Sequence, residues 1–169
     1  MKSLFTLLLI ITFSLPSFSQ ENKTDNTTTY YLIRHSEKDQ SDKTNRDPNL
    51  TEVGKTRAER WSAIFQNVAF DAVYSTNYNR TKQTAQPTAK KNELELSFYD
   101  PRALYSEDFA KATKGKTVLV VGHSNTTPAF VNMILGEKKH KDIDHNNNGN
   151  LYIVTISEGN VTDQVLTIN

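Results

Sequence analysis

Three short apolar runs in this 169-residue chain are each followed at once by residues suited to holding or attacking phosphate. After Tyr31-Leu32-Ile33 comes Arg34-His35-Ser36-Glu37. After Val73-Tyr74 comes Ser75-Thr76 and then Arg80-Thr81, and after Leu119-Val120-Val121 comes Gly122-His123-Ser124. An arginine guanidinium donates paired N–H bonds to phosphate oxygens, and a neutral imidazole can accept a phosphoryl group to form a covalent intermediate. Cations close by stabilise the charge that spreads over the group as it transfers. Taken singly the pieces are ordinary: a surface Arg-His pair, a solvated helix arginine, a structural histidine. Repeated at three strand ends, they point to one cationic pocket built from Arg34, His35, Arg80 and His123.

The elements that must carry these residues follow from the pattern of apolar side chains. Tyr30-Tyr31-Leu32-Ile33, Asp71-Ala72-Val73-Tyr74, Thr117 to Val121 and Leu151 to Ile156 are short β-rich runs of the kind found in buried central strands. Thr51 to Phe65 begins with a threonine cap and places Ala58, Trp61, Ile64 and Phe65 at helical spacing; Arg80 to Lys91 and Thr126 to Leu135 are two further helices. Alternating strands and helices predict an α/β three-layer sandwich, a mainly parallel sheet with helices on both faces. Val161 to Ile168, after the turn Glu158-Gly159-Asn160, adds an antiparallel edge strand. In such sheets ligands sit beyond the carboxyl ends of the strands, which is where all three phosphate-suited segments fall.

With the residues laid out this way, Ile33-Arg34-His35-Ser36-Glu37 resembles the Arg-His-Gly signature of the histidine phosphatase (phosphoglycerate mutase-like) superfamily, with Ser in place of Gly. Leu50-Thr51-Glu52-Val53-Gly54 with Arg57-Ala58 is similar to its Leu-Thr-x-x-Gly-x-x-x-Ala helix start. Tyr74-Ser75-Thr76 through Arg80-Thr81 and Thr84-Ala85 resembles the second-arginine motif, and Val120 to Ser124 the second-histidine motif. The four come in the family's order, and the short intervals between them resemble its small bacterial phosphatases. The resemblance implies that His35 is the phosphorylated nucleophile, that Arg34 and Arg80 clamp the phosphate, and that His123 donates to it. It implies no metal and no other cofactor.

Two positions differ from the family pattern. Ser41 stands where many members carry an asparagine that touches phosphate. The acid that protonates the leaving oxygen, which in the mutases follows the second-arginine helix, has four candidates here: Glu37, Asp100, Glu107 and Asp108. Their spacing does not choose among them. Asp144-His145-Asn146-Asn147-Asn148-Gly149 matches the first six positions of a calcium loop, but position twelve is Thr155, so the segment reads as a polar turn into a strand. His140 and His145, five residues apart without cysteine or a glutamate cluster, read as loop residues rather than zinc ligands.

Composition sets the outer limits. With 36% hydrophobic residues, the length suits one domain, expected over residues 30–169. Met1-Lys2-Ser3, the apolar run Leu4 to Leu15 and the exit Pro16-Ser17-Phe18-Ser19 form a signal peptide over residues 1–19, and residues 20–29 form a flexible polar leader. Export to the periplasm or extracellular medium is the expectation. The absence of cysteine rules out disulfides and a thioether lipid anchor. Twenty Lys and Arg balance nineteen Asp and Glu, so no broad field exists to hold nucleic acid, and no later run is long enough to span a bilayer. The expected partner is a small phosphorylated substrate or a phosphoprotein. Hydrolysis of phosphate esters is the leading reading, ahead of a mutase-like phosphotransferase, since the interval Ala85 to Thr117 leaves little room for an enclosing lid. A non-catalytic phosphate-binding module is the third.

Overall fold

Alternation along the two central strands sorts the apolar residues onto two faces. In the computed structural model, which describes residues 27–168, β1 (Thr28–Arg34) and β4 (Thr117–Gly122) pair in parallel, with Tyr30 beside Val118 and Ile33 beside Val121. Tyr30, Leu32, Val118 and Val120 face one layer, and Ile33, Leu119 and Val121 face the other. Both faces of these strands are largely buried, so each needs a covering layer of helices.

Helix α1 (Glu52–Ile64) and α2 (Asn79–Lys91) cover the second face with Trp61, Ala85 and Ala89, packed with Phe65, Phe70 and Val73. Helix α3 (Glu107–Thr113) and α4 (Thr126–Leu135) cover the first with Phe109, Phe130, Val131 and Ile134. The remaining strands are β2 (Ala72–Ser75), β3 (Leu96–Phe98), β5 (Asn150–Ser157) and β6 (Asn160–Thr167). The sheet order is β3-β2-β4-β1-β5-β6. The first four strands in that order run parallel, β5 is antiparallel to β1, and β6 is antiparallel to β5. This is the predicted α/β sandwich.

Some boundaries differ from the expectation. Thr28 and Thr29, assigned to the leader, are the first residues of β1: Thr28 is 3% exposed, and its hydroxyl accepts from Gly115 N–H. The rest of the leader up to residue 26, and the signal segment 1–19, lie outside the described residues. The strand that runs against the rest is β5, which pairs antiparallel with β1; β6 pairs antiparallel with β5 as expected and so runs in the direction of the first four. Its hairpin to β6 turns on Glu158 and Gly159, both at positive φ, as a two-residue turn of matching twist requires. Ile64 points outward at 38% exposure, and Phe65 caps α1. The elements β3 and α3 had no counterpart in the sequence reading: one is three residues long and the other seven. Among the described residues, no helix is long and apolar enough to cross a membrane.

Candidate active site

The β1–β4 ladder continues one step beyond the strands, with His35 N–H donating to Gly122 O at 2.9 Å. His35 therefore starts from a rigid backbone. Its Nδ1 lies 2.8 Å from Ser36 O. A carbonyl oxygen only accepts, so Nδ1 carries the hydrogen and Nε2 keeps its lone pair. Burial pushes the imidazole down to about 3, with the cations of Arg34 and Arg80 adding to the shift, so the ring is neutral at neutral pH.

His123 enters from the end of β4, its ring 5.4 Å from that of His35. Gly122 before it has no alternative: a Cβ there would lie 2.8 Å from the Thr127 hydroxyl and 2.9 Å from that of Tyr99. His123 N–H donates to Thr126 Oγ1, which ties the turn to the start of α4. The ring nitrogens face Thr76 Oγ1 at 3.1 Å and Arg80 Nη2 at 3.5 Å. Burial, then Arg80, Lys38 and Arg34, lower this imidazole to about 4.

Arg80 stands in the first turn of α2, its guanidinium 4.6 Å above the Tyr78 ring and 3.6 Å from the Asp47 carboxylate. Thr84 Oγ1 donates to Arg80 O and accepts from Ser36 N–H, which locks the two arginine motifs together. Arg34 donates through Nη1 to the carbonyls of Asp144, His145 and Asn147 at 2.9, 3.1 and 2.9 Å. Buried donors on both arginines, Arg34 Nε and Arg80 Nε and Nη1, have no hydrogen-bond partner. Burial lowers both guanidinium pKa values without discharging them. Buried N–H groups left unpaired are costly, and an anion with several oxygens satisfies them.

All four predicted residues line one cleft of about 830 Å³. Glu37, Lys38, Gln40, Tyr78, His145 and Asn148 join them. Of the four candidate acids only Glu37 is there, and both its oxygens accept from Arg57 Nε, at 2.8 and 3.1 Å. Asp100 is paired with Arg102, Glu107 with Lys111, and neither these nor Asp108 line the cleft. Ser41 is exposed and also lies outside it. The sequence reading passed over Lys38, Tyr78 and Asn148, although Lys38 and Tyr78 sit within three residues of His35 and Arg80. The Asp144 to Gly149 segment does turn into β5 as expected, but its carbonyls also hold Arg34. Among the described residues no group of three or more His, Asp or Glu is arranged to hold a metal ion.

A neutral imidazole with a free Nε2, flanked by two arginines with unpaired donors, has the chemistry of a phosphoryl acceptor. Comparison with known families agrees with this: the model of the histidine phosphatase superfamily (branch 1) matches residues 30–101. Over residues 30–101 the chain is similar to the histidine phosphatase superfamily. That match spans the motifs of His35, Gly54 and Arg80. The second-histidine turn lies beyond it, in the part reached by structural likeness. The protein histidine phosphatase SixA, solved with tungstate, superposes with a TM-score of 0.64 at 18% identity over 82% of this chain and 96% of its own. Phosphoglycerate mutase from Bacillus anthracis gives 0.63 at 17% identity, over 85% and 94%. Phosphoserine phosphatase from Entamoeba histolytica, solved with 3-phosphoglyceric acid, gives 0.60 at 18% identity, over 84% and 98%. At these identities the likeness concerns the histidine phosphatase fold. No curated protein sequence matches the chain.

Proposed function

We propose that the chain is a phosphohydrolase of the histidine phosphatase superfamily that cleaves phosphate esters through a phosphohistidine on His35. The observation that carries the reading is the set of unpaired, buried N–H donors on Arg34 and Arg80 beside an imidazole whose Nδ1 is tied to Ser36 O. Nε2 attacks phosphorus, a P–N bond forms and the P–O bond to the leaving group breaks. Water then attacks the phosphoryl group, the P–N bond breaks, and inorganic phosphate leaves with His35 neutral again. Arg34, Arg80 and His123 bear on the transferring oxygens throughout. Glu37, committed to Arg57, is poorly placed to give a proton to the leaving oxygen, which favours substrates such as aryl phosphates whose leaving group departs without one.

Hydrolysis is favoured over transfer to a second hydroxyl because the segment after α2 is taken up by β3 and α3, elements of the sandwich, rather than by an enclosing lid. His35→Ala is expected to abolish turnover of an aryl phosphate, and a base-quenched reaction of the parent should show an acid-labile phosphoryl label on His35. Full activity in folded His35→Ala would overturn the assignment. Chelator is expected to leave the rate unchanged, since two guanidinium groups already supply the charge a metal would bring.

Export of the mature protein is part of the same proposal and rests on the basic start, apolar centre and Ser-Phe-Ser exit of residues 1–19. Intact-mass measurement on protein from its native host should find a chain beginning near Gln20. A cytoplasmic chain that keeps Met1 would count against export.

A further inference from the structure

The segment Asp144 to Asn148 stands between the two histidine turns. At one end Ile143 N–H donates to Ser124 O, one residue past His123, at 2.9 Å. At the other, Asn148 Nδ2 donates to His35 O at 2.8 Å. Between them lie the three carbonyls that accept from Arg34 Nη1. The loop keeps its own shape: Asn146 N–H donates to Asp144 Oδ1, Gly149 N–H to Asn147 Oδ1, and Asn147 Nδ2 to Asn150 Oδ1. Carbonyl oxygens repel phosphate oxygens, so this loop serves the site through the side chains it holds.

One contact reaches the nucleophile directly. The peptide between His35 and Ser36 is gripped at both ends, its oxygen by Asn148 and its N–H by Thr84 Oγ1 at 2.9 Å. That peptide sets the direction of the next carbonyl, Ser36 O, which accepts His35 Nδ1–H. Were the peptide free to turn, the acceptor would move and the ring could take the other tautomer, with hydrogen on Nε2 and no lone pair to offer phosphorus. Asn148 is only 8% exposed, and this hydrogen bond takes one of its two amide hydrogens.

We infer that Asn148, presented by the Asp144–Asn148 loop, is a positioning residue for His35: it holds the His35–Ser36 peptide so that the imidazole keeps Nε2 unprotonated. The inference rests on His35 being the nucleophile. In Asn148→Ala, kcat for an aryl phosphate is expected to fall about 10-fold or more, since small misplacements of a reacting group are that costly. Inhibition by inorganic phosphate should change by less than about threefold, because Arg80 and His123 are untouched. A loss of general stability would not divide kcat from phosphate affinity in this way. Nitrogen NMR of the imidazoles supplies an independent readout: His35 should be an Nδ1–H tautomer in the parent and a mixture in the variant. Should Asn148→Ala fail to fold, Asn148→Leu, of similar shape but without a donor, carries the same expectation. Parent-like kcat in a folded variant, or an Nε2–H tautomer in the parent, overturns the role of Asn148. Running His35→Ala alongside separates the two failures: an active His35→Ala sinks the nucleophile, whereas an inert His35→Ala beside a parent-like Asn148→Ala sinks the positioning role alone.

Discussion

His35 and His123 are the same residue type held in the same cleft, yet their hydrogen bonds differ. His35 is fixed through Nδ1 by a backbone carbonyl, whereas His123 faces a hydroxyl and a guanidinium. Because Arg80 only donates, the His123 nitrogen nearest it, Nδ1, must accept, so the neutral ring carries its single N–H on Nε2, directed at Thr76. Donation to a bound phosphate from Nδ1 requires protonation. Burial first and then the neighbouring cations lower His123 to about 4; an arriving dianion opposes those cations and raises its pKa, so binding should take up a proton. Titrating with tungstate near pH 6 in buffers of different ionisation heat checks this: heat should vary with the buffer in the parent and less so in His123→Asn. Heat independent of the buffer would show that His123 stays neutral.

At the level of elements, the site depends on how closely α1 approaches the turn after His35. A Cβ on Gly54 would lie 2.1 Å from Glu37 O, the same carbonyl that accepts from the Thr51 N–H and hydroxyl. Thr51 in turn caps α1 by accepting from Gly54 N–H. The Leu-Thr-x-x-Gly pattern is thus a docking contact between helix and turn. Gly54→Ala must push the two apart, and a loss of about 2 kcal/mol or more is expected by denaturant titration, together with reduced kcat. Thr51→Ala removes one cap and should cost about 1 kcal/mol. If Gly54→Ala proves as stable and active as the parent, the close approach has no energetic weight.

For the molecule as a whole, the two buried imidazoles link folding to pH. Each has a folded pKa far below the ordinary 6.5, about 3 for His35 and about 4 for His123. Below pH 6.5 the unfolded chain takes up protons that the folded chain resists, so stability is complete above that pH and falls as the pH drops towards 4 and then 3. Unfolding titrations at pH 7, 5.5 and 4.5 should show the decline, and a folded His35→Gln should show a shallower one. An equal slope in both would mean that other groups govern acid stability.

The residues proposed to do the chemistry could be picked out in the sequence because each follows a strand that its own composition reveals. Arg34, His35 and His123 come at the ends of runs of Tyr, Leu, Ile and Val that are mostly buried, and Arg80 opens a helix one turn beyond another. Parallel strands with covering helices then have one outcome, carboxyl ends at a common edge. What local pattern could not show was contact between segments distant in the chain. Asn148 reaches His35 across 113 positions, and Arg57 reaches Glu37 across 20. The first lay in a polar turn, and the second in a helix face like any other. Bringing Glu37 alone of four carboxylates to the cleft and tying it to Arg57, bringing Lys38 and Tyr78 to the cleft wall, and turning a would-be cation loop into the acceptor of Arg34 all required the packed chain. Such pairings are set by the three-dimensional path of the backbone, and spacing along the chain carries no record of them.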